Sequence, residues 1–429
     1  MKSFEALDAK GKTVLLRVDL NTSLVNGEPQ DSPRFAQAGE TVRLLARRGA
    51  KVAVIAHQGR PGGDDFSSLE KHAVLLSRRA KKKVKFVPDL FGSATLEKIR
   101  SLGEGKILLL ENSRFYSEES AEGIDYSKTL LVKSLSSVAD CFVNDAFSAS
   151  HRSQATVTGF PQLLPSYAGP HLAEEAELLS RLRDSAEKPV VYCLGGAKVE
   201  ECFNVAEYAF ANGKAQSLLA SGVFGDLLFL ASGKDLGLKR EWLEKKGFLK
   251  HSERARRLWE GHKDDIALPI DFAFADDEGF RVETRDASTA PKSVFDVGGE
   301  TLNLFKRYLK DAKTVFVKGP AGRYEEPPFE LGTKTLFKLV SSSKAFTVVG
   351  GGDSGAALEK LGFKEKDFGH VCTAGGAMLD FLTGKELPGL VALENNAIEP
   401  KQKPDSEVAG AEAAGSAVAG VEASGAETV

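Results

Sequence analysis

Short apolar runs alternate with longer, helix-spaced stretches along the chain. In the first half, TVLLRVDLN, KVAVIAHQGRP, KILLLENSRF and CFVNDAFSASHR each begin as an aliphatic or β-branched run and end in polar residues. The second half repeats this with PVVYCLGGAK, AQSLLASGVFG, DIALPIDFAF, TVFVKGPAGRYE, FTVVGGGDS and GHVCTAGGA. Near-continuous apolarity predicts strands buried on both faces, as in parallel sheets covered by crossover helices. Between the halves lies PHLAEEAELLSRLRDSAEKP, residues 170–189. There Leu172, Ala176, Leu179 and Leu182 fall on one helical stripe bracketed by prolines, which predicts a helix joining two domains. After about residue 396 the composition collapses into AGAEAAGSAVAGVEASGAE, without an apolar stripe. That stretch is expected to be a disordered tail rather than a partner helix.

Composition sharpens the picture. At 429 residues and 42% apolar content, the chain can fill the cores of two or three domains. A net charge of −3 gives no global basic field, so neither nucleic acid nor a membrane surface is an expected partner. No apolar run reaches the roughly 18–20 residues needed to cross a bilayer. The opening MKSFEALDAKGKTVLLRVDL carries acids early and no signal-peptide core. Cys141, Cys193, Cys202 and Cys372 are scattered without metal-ligand spacing, which argues against disulfides or zinc and for buried free thiols in a reducing cytosol. Cys202 is expected to pack rather than to act as a redox switch. These features predict a cytoplasmic monomer.

In open α/β sheets, ligands sit outside the carboxyl ends of the strands, so the residues there are informative. The first-half ends carry Asp19, Asn21, His57, Arg60, Arg114, His151 and Arg152, with Arg34 following the first strand. Arginine's planar fork matches carboxylate and phosphate oxygens two at a time, so this crest predicts a pocket for a small, strongly anionic molecule. The second-half ends are rich in glycine instead: Gly195-Gly196, Gly222, Gly319, Gly322, Gly350-Gly351-Gly352 and Gly375-Gly376. Glycine lets backbone N–H groups approach an anion and lets the main chain lie against a flat ring, which points to a nucleotide. Asp353 is then the natural magnesium ligand, because Mg²⁺ reaches phosphates through one or two carboxylates. The letters GGGDSG satisfy a dinucleotide-binding pattern, but the next strand ends in HVCTAGG without the required acid. No ordinary phosphate-binding P-loop motif occurs, and Lys198 stands as a separate positive charge after Gly195-Gly196.

In order and spacing, LLRVDLN, AHQGRPGGDDF, LLLENSRF, VNDAFSASHRSQ, LGGAKV, KGPAGRYE, VVGGGDS and TAGGAMLDFLTGKELPGL resemble the signature segments of phosphoglycerate kinase, from about residue 12 to 393. AHQGRPGGDDF and NDAFSASHRSQ look most like archaeal members. The resemblance implies an α/β chain of two doubly wound, Rossmann-like parallel-sheet domains joined by a helix and hinge. It implies an acid-substrate domain at 1–169, an interdomain helix at 170–187, a nucleotide domain at 188–375 and a segment at 376–395 returning toward the first domain. It also implies Mg²⁺-dependent phosphoryl exchange between 1,3-bisphosphoglycerate with ADP and 3-phosphoglycerate with ATP. A catalytically weak paralogue that only binds these ligands is the alternative.

Carried over by position, the acid-substrate residues are Asp19, Asn21, Arg34, His57, Gln58, Gly59, Arg60, Arg114 and Arg152. The nucleotide residues are Gly195, Lys198, Gly222, Lys318, Pro320, Glu325, Gly351, Gly352, Asp353 and Ser354, with Asp353 on the metal. Arg34, Lys198, Gly375 and Gly376 are the expected catalytic set. The acceptor in such a reaction is a carboxylate, already a nucleophile, so no general base is required. Departures from the family pattern cluster on the nucleotide half. Cys202 stands where a second Lys is common, Lys318 replaces an Asn, Arg323 replaces a Val and Ala374 replaces a Gly. Ser221-Gly222 replaces a Gly pair. Lys318 is expected to supply the charge missing at Cys202.

Overall fold

The computed structural model describes residues 1–399. The tail expected from 396 onward therefore falls mostly outside the described residues, with one correction at its start given below.

Two six-stranded parallel sheets organise the chain. The first runs Val84–Phe86, Ile107–Leu109, Lys51–Ile55, Thr13–Arg17, Cys141–Asn144, Ser166–Ala168 in spatial order. The second runs Ile266–Ala267, Ser217–Ala220, Val190–Leu194, Thr314–Lys318, Phe346–Gly350, His370–Cys372. In each, the first strand of the domain lies inside the sheet and later strands add on both sides. That reversal opens a crevice at the strands' carboxyl ends.

The apolar runs are explained by two-sided burial. In Thr13–Arg17, Val14 and Leu16 enter one core with Phe35, Val42 and Leu45, while Leu15 enters the opposite core with Phe142 and Leu131. Val191 and Cys193 alternate in the same way with Val190, Tyr192 and Leu194.

Two strands lie outside the predicted runs, and one strand expectation needs correction. Val84–Phe86 and Ser166–Ala168 are strands without a clear apolar run, because both are short edge strands paired on one side only. DIALPIDFAF is not one strand. Pro269 interrupts it, leaving Ile266–Ala267 at the edge of the second sheet, while Phe272–Ala275 pairs antiparallel with Arg281–Thr284 and Asp296–Val297.

The connecting helix spans Pro170–Asp184, and Leu172, Ala176, Leu179 and Leu182 are all buried in the second domain's core. Its start belongs to the first domain: Gly169 N–H donates to Asn144 O at 2.8 Å, and His171 and Leu172 N–H donate to Asp145 Oδ1 at 2.9 and 3.0 Å. Burial, against the nearby His171, pushes the Asp145 carboxyl up to about 6. The chain crosses back through helices Gly376–Leu382 and Pro388–Glu394, with Phe381 edge-on to Phe147 and Gly389 N–H donating to Ser150 O at 2.9 Å. The expected disorder does not begin at 396. The Asn396 side chain is buried, accepts from Ser166 N–H at 3.0 Å and donates to Pro161 O and Leu164 O at 2.7 and 2.9 Å. A buried amide that completes three backbone groups is strongly held.

Candidate active site

The first domain's crest is a connected polar network. Arg34, on the first turn of helix Pro33–Arg47, pairs with Asp19 at 3.1 Å and donates to Asn21 O at 2.8 Å. Asn21 Oδ1 accepts from Gly59 N–H at 2.8 Å, and Gly59 O accepts from Arg114. Gly59 is at φ +66°, and a Cβ there would lie 2.4 Å from Asp65 O, so this turn requires glycine. Gln58 is fully buried and bonds Thr22 O and Asp65 O, which makes it a loop brace rather than a ligand group. Arg152 Nε donates to His151 Nε2 at 3.2 Å, and Arg60 is exposed at the rim.

Electrostatics identify what this crest lacks. Burial first, and then the like charges of Arg17, Arg152 and Arg60, push the Arg114 guanidinium down to about 10. Arg152 is lowered by burial and by Arg60. Burial and the Arg17 charge hold His57 well below its usual range, so the ring is neutral. Its Nδ1 accepts from Arg17 Nη2 at 2.9 Å, which leaves Nε2 to carry the proton. Burial alone would raise Asp19, but the Arg34 charge, together with hydrogen bonds from Ser148 Oγ and Asn21 N–H, keeps its carboxyl below the ordinary value. Cations crowded against each other create a strong demand for an anion.

Arg17 carries no motif that marks it as part of this crest. It is completely buried at the end of its strand, bonded to Thr156 Oγ1 at 3.1 Å, Val18 O and His57, and attracted by buried Glu119. Glu119 accepts from Thr156 N–H, Thr156 Oγ1 and Ser113 Oγ. The signal was a charge inside the apolar run LLRVDL.

The second domain's crest is built from tightly packed backbone. Gly222 is at φ +55°, and a Cβ on it would stand 2.5 Å from Gly196 N; one on Gly195 would stand 2.5 Å from Pro320 O. Beside these turns lies a cavity of about 320 Å³ lined in part by Gly222, Trp242, Phe295, Pro320, Glu325 and Asp353. Arg323 caps it, with its guanidinium 3.6 Å from the Phe295 ring centroid. No sequence spacing marked Trp242 or Phe295. Gly351 and Gly352 lead into helix Gly352–Lys360, and open space faces both. Lys198 meets Asp353 Oδ1 at 3.0 Å across the crest, both half exposed. A hard carboxylate on an open helix start fits Mg²⁺.

Two nucleotide expectations change. Ser354 is buried, accepts from Gly319 N–H and donates to Gly350 O, both at 2.8 Å, so it ties two loops together instead of facing a ligand. Lys318 is also buried and pairs with Glu201 Oε2 at 2.8 Å, away from the cavity. It does lie beside Cys202, whose thiol burial pushes up to about 11 against the Lys318 charge.

The crests face each other. Arg34 Nη2 lies 3.4 Å from Thr373 O, and the Gly376 helix start comes within reach of His151. An open groove runs from Asn21, Ser32 and Arg34 on one wall to Gly352, Glu359 and Thr373 on the other.

Known proteins share this sequence and fold. The phosphoglycerate kinase family model matches residues 4–385. A phosphoglycerate kinase of Methanothermobacter thermautotrophicus is 38% identical over 400 residues, 92% of this chain and 97% of that protein. One of Aeropyrum pernix is 40% identical over 404 residues, 92% and 96% of the two chains. The crystal structure of the Pyrococcus horikoshii phosphoglycerate kinase superposes with a TM-score of 0.84 at 37% identity, covering 92% of this chain and 98% of that one. On sequence, fold and the paired crests together, the chain belongs to the phosphoglycerate kinase family.

Proposed function

We propose that this protein transfers a phosphoryl group reversibly between 1,3-bisphosphoglycerate with ADP and 3-phosphoglycerate with ATP. The observation that carries this is the pairing of an under-neutralised arginine crest with a glycine-lined cavity across one groove. Arg34, Arg60, Arg114 and Arg152 bind the acid substrate's phosphate and carboxylate, His57 donates from Nε2, and Asp19 orients Arg34. The nucleotide's base and ribose take the cavity by Trp242, Phe295, Pro320 and Glu325, and its phosphates lie along Gly195, Gly222, Gly351 and Gly352. Asp353 holds Mg²⁺, which supplies positive charge to the phosphate oxygens when bound.

The chain's task is alignment and charge. The acceptor carboxylate needs no base, so catalysis consists of bringing two anions into line and neutralising the equatorial oxygens of the group in flight. Lys198 leaves Asp353 for that oxygen set, Arg34 reaches it from the other wall, and the N–H groups at Gly375 and Gly376 complete it. The walls close around the substrates and exclude water, which otherwise competes as acceptor. The division into an acid-substrate domain at 1–169 and a nucleotide domain at 188–375, joined by 170–187 and recrossed at 376–395, belongs to this reading. So do a cytoplasmic location and a monomeric state; among the described residues no helix is long and apolar enough to cross a membrane. A coupled assay with 3-phosphoglycerate, ATP and Mg²⁺ should show turnover absent with ATP alone. Saturable binding of both substrates without turnover would overturn the proposal.

A further inference from the structure

The inner wall of the cavity beside the glycine turns carries an ion pair that the proposed reaction does not use. Asp226, one turn into helix Gly222–Ala231, and Lys239, in the first turn of helix Leu238–Lys245, both line the cavity. Their side chains are only 10% and 4% exposed, and Lys239 Nζ stands 3.4 Å from Asp226 Oδ2. The ring centroids of Trp242 and Phe295 lie 4.4 and 4.2 Å from the same ammonium and fix its place. Burying two charges often costs more than their attraction returns, so an ion pair on the wall of a ligand cavity is better explained by what it meets there than by stability. The two groups satisfy each other with one contact, yet a carboxylate has about four acceptor sites and an ammonium about three N–H donors. The remaining capacity is on the cavity side. Asp296, the other buried carboxylate on this wall, is committed elsewhere: it pairs with Arg281 at 2.8 Å and accepts from Gly332 N–H at 2.8 Å. Glu325 and Asp353 are more exposed and lie at the open mouth, where ribose and phosphates belong.

We infer that Asp226 and Lys239 read the hydrogen-bonding edge of the nucleotide base, and that the cavity takes guanine nucleotides at least as well as adenine ones. This rests on the nucleotide assignment proposed above and adds a substrate class to it. Guanine presents O6 as an acceptor beside its N1–H and N2–H donors. Lys239 donates to O6, and the two Asp226 oxygens accept from N1–H and N2–H. Adenine presents the 6-amino donor beside the acceptor N1, so it engages each side chain only once. Hypoxanthine keeps O6 and N1–H but lacks the 2-amino group, so it leaves one Asp226 oxygen unmet by the base. Pyrimidine bases are a ring shorter and do not reach the inner wall. A site whose buried polar groups expect a partner discriminates strongly against a ligand that lacks it.

The test is calorimetry on the full chain with Mg²⁺ and, in turn, GDP, ADP, IDP and CDP. GDP should bind at least as tightly as ADP, IDP roughly tenfold more weakly than GDP, and CDP more weakly still. Asp226→Asn presents an amide donor to the guanine N–H groups, so it should weaken GDP at least tenfold and ADP by less than threefold. GTP should also replace ATP in the coupled assay. Equal affinities for GDP and IDP, ADP binding more tightly than GDP, or equal losses of GDP and ADP in Asp226→Asn would overturn the base reading. The wild-type series of four diphosphates decides the matter should Asp226→Asn fold poorly. A graded series without turnover on any triphosphate refutes the reaction and keeps the base reading; a flat series with turnover refutes the base reading alone. No binding by any of the four overturns both.

Discussion

Arg34→Ala removes a guanidinium that holds Asp19 at 3.1 Å, Asn21 O at 2.8 Å and Thr373 O at 3.4 Å. Its side chain is 27% exposed, so the ion pair is partly screened and contributes at most about 1 kcal/mol to folding. For domains of this size that corresponds to a melting-temperature change of about 2–4 °C. The kinetic effect is expected to be much larger. A preorganised donor that meets charge developing in the transition state is worth about 2.7–4 kcal/mol, or roughly 10²–10³ in kcat. Arg34 does not line the cavity formed by Trp242, Phe295 and Pro320, so ATP affinity should stay within about twofold. The coupled assay gives kcat, calorimetry gives the ATP dissociation constant, and a thermal melt excludes unfolding. Loss of ATP binding by tenfold or more, or a kcat within threefold of wild type, would refute the assignment of Arg34 to the acid-substrate wall.

Arg17→Met should destabilise the fold by about 3–5 kcal/mol, because Glu119 is left as an unpaired buried charge; adding Glu119→Gln should recover part of that in denaturant melts. Burial holds His72 at about 4 against an ordinary 6.5, so the unfolded chain binds the proton more readily. Stability is therefore complete above pH 6.5 and falls as pH drops toward 4, by up to about 3 kcal/mol. His72→Leu should flatten that part of the stability curve, and an unchanged slope would contradict the cause. Lys318→Met should lower kcat by on the order of tenfold if its charge replaces the Lys absent at Cys202; a silent substitution sinks that idea. Asn396→Ala should cost about 2–3 kcal/mol in chemical melts by stranding Ser166 N–H and the Pro161 and Leu164 carbonyls.

What could be read from the sequence was whatever repeats or punctuates. Two-sided burial leaves its mark in TVLLR and PVVYCL, and the helical stripe from Leu172 to Leu182 needs no tertiary information. Arginines and glycines at successive strand exits announce two crests. Other features have no local signature. The edge strands Val84–Phe86 and Ser166–Ala168 are too short and too little apolar, since half of each strand's bonding is absent. The Gly-rich loop points Ser354 toward the ligand, whereas its hydroxyl is engaged by Gly319 and Gly350. Lys318 was legible as a charge, but its partner Glu201 comes from the following helix of a different strand. Trp242, on helix Leu238–Lys245, meets Phe295 edge-on where Phe295 enters the small antiparallel sheet, which breaks the parallel pattern.

The two halves are linked twice, outward by Pro170–Asp184 and homeward by the segment that ends with Asn396 clamped on the first half. A body tethered by one strand can swing, slide and spin; one tethered at two separated points keeps mainly the rotation about the line through them. That constraint turns a loose pair into something closer to a door with two pins. Each swing brings the same atoms to the same place, so the accuracy of transfer is set by where the backbone crosses rather than by contacts made afresh at every cycle.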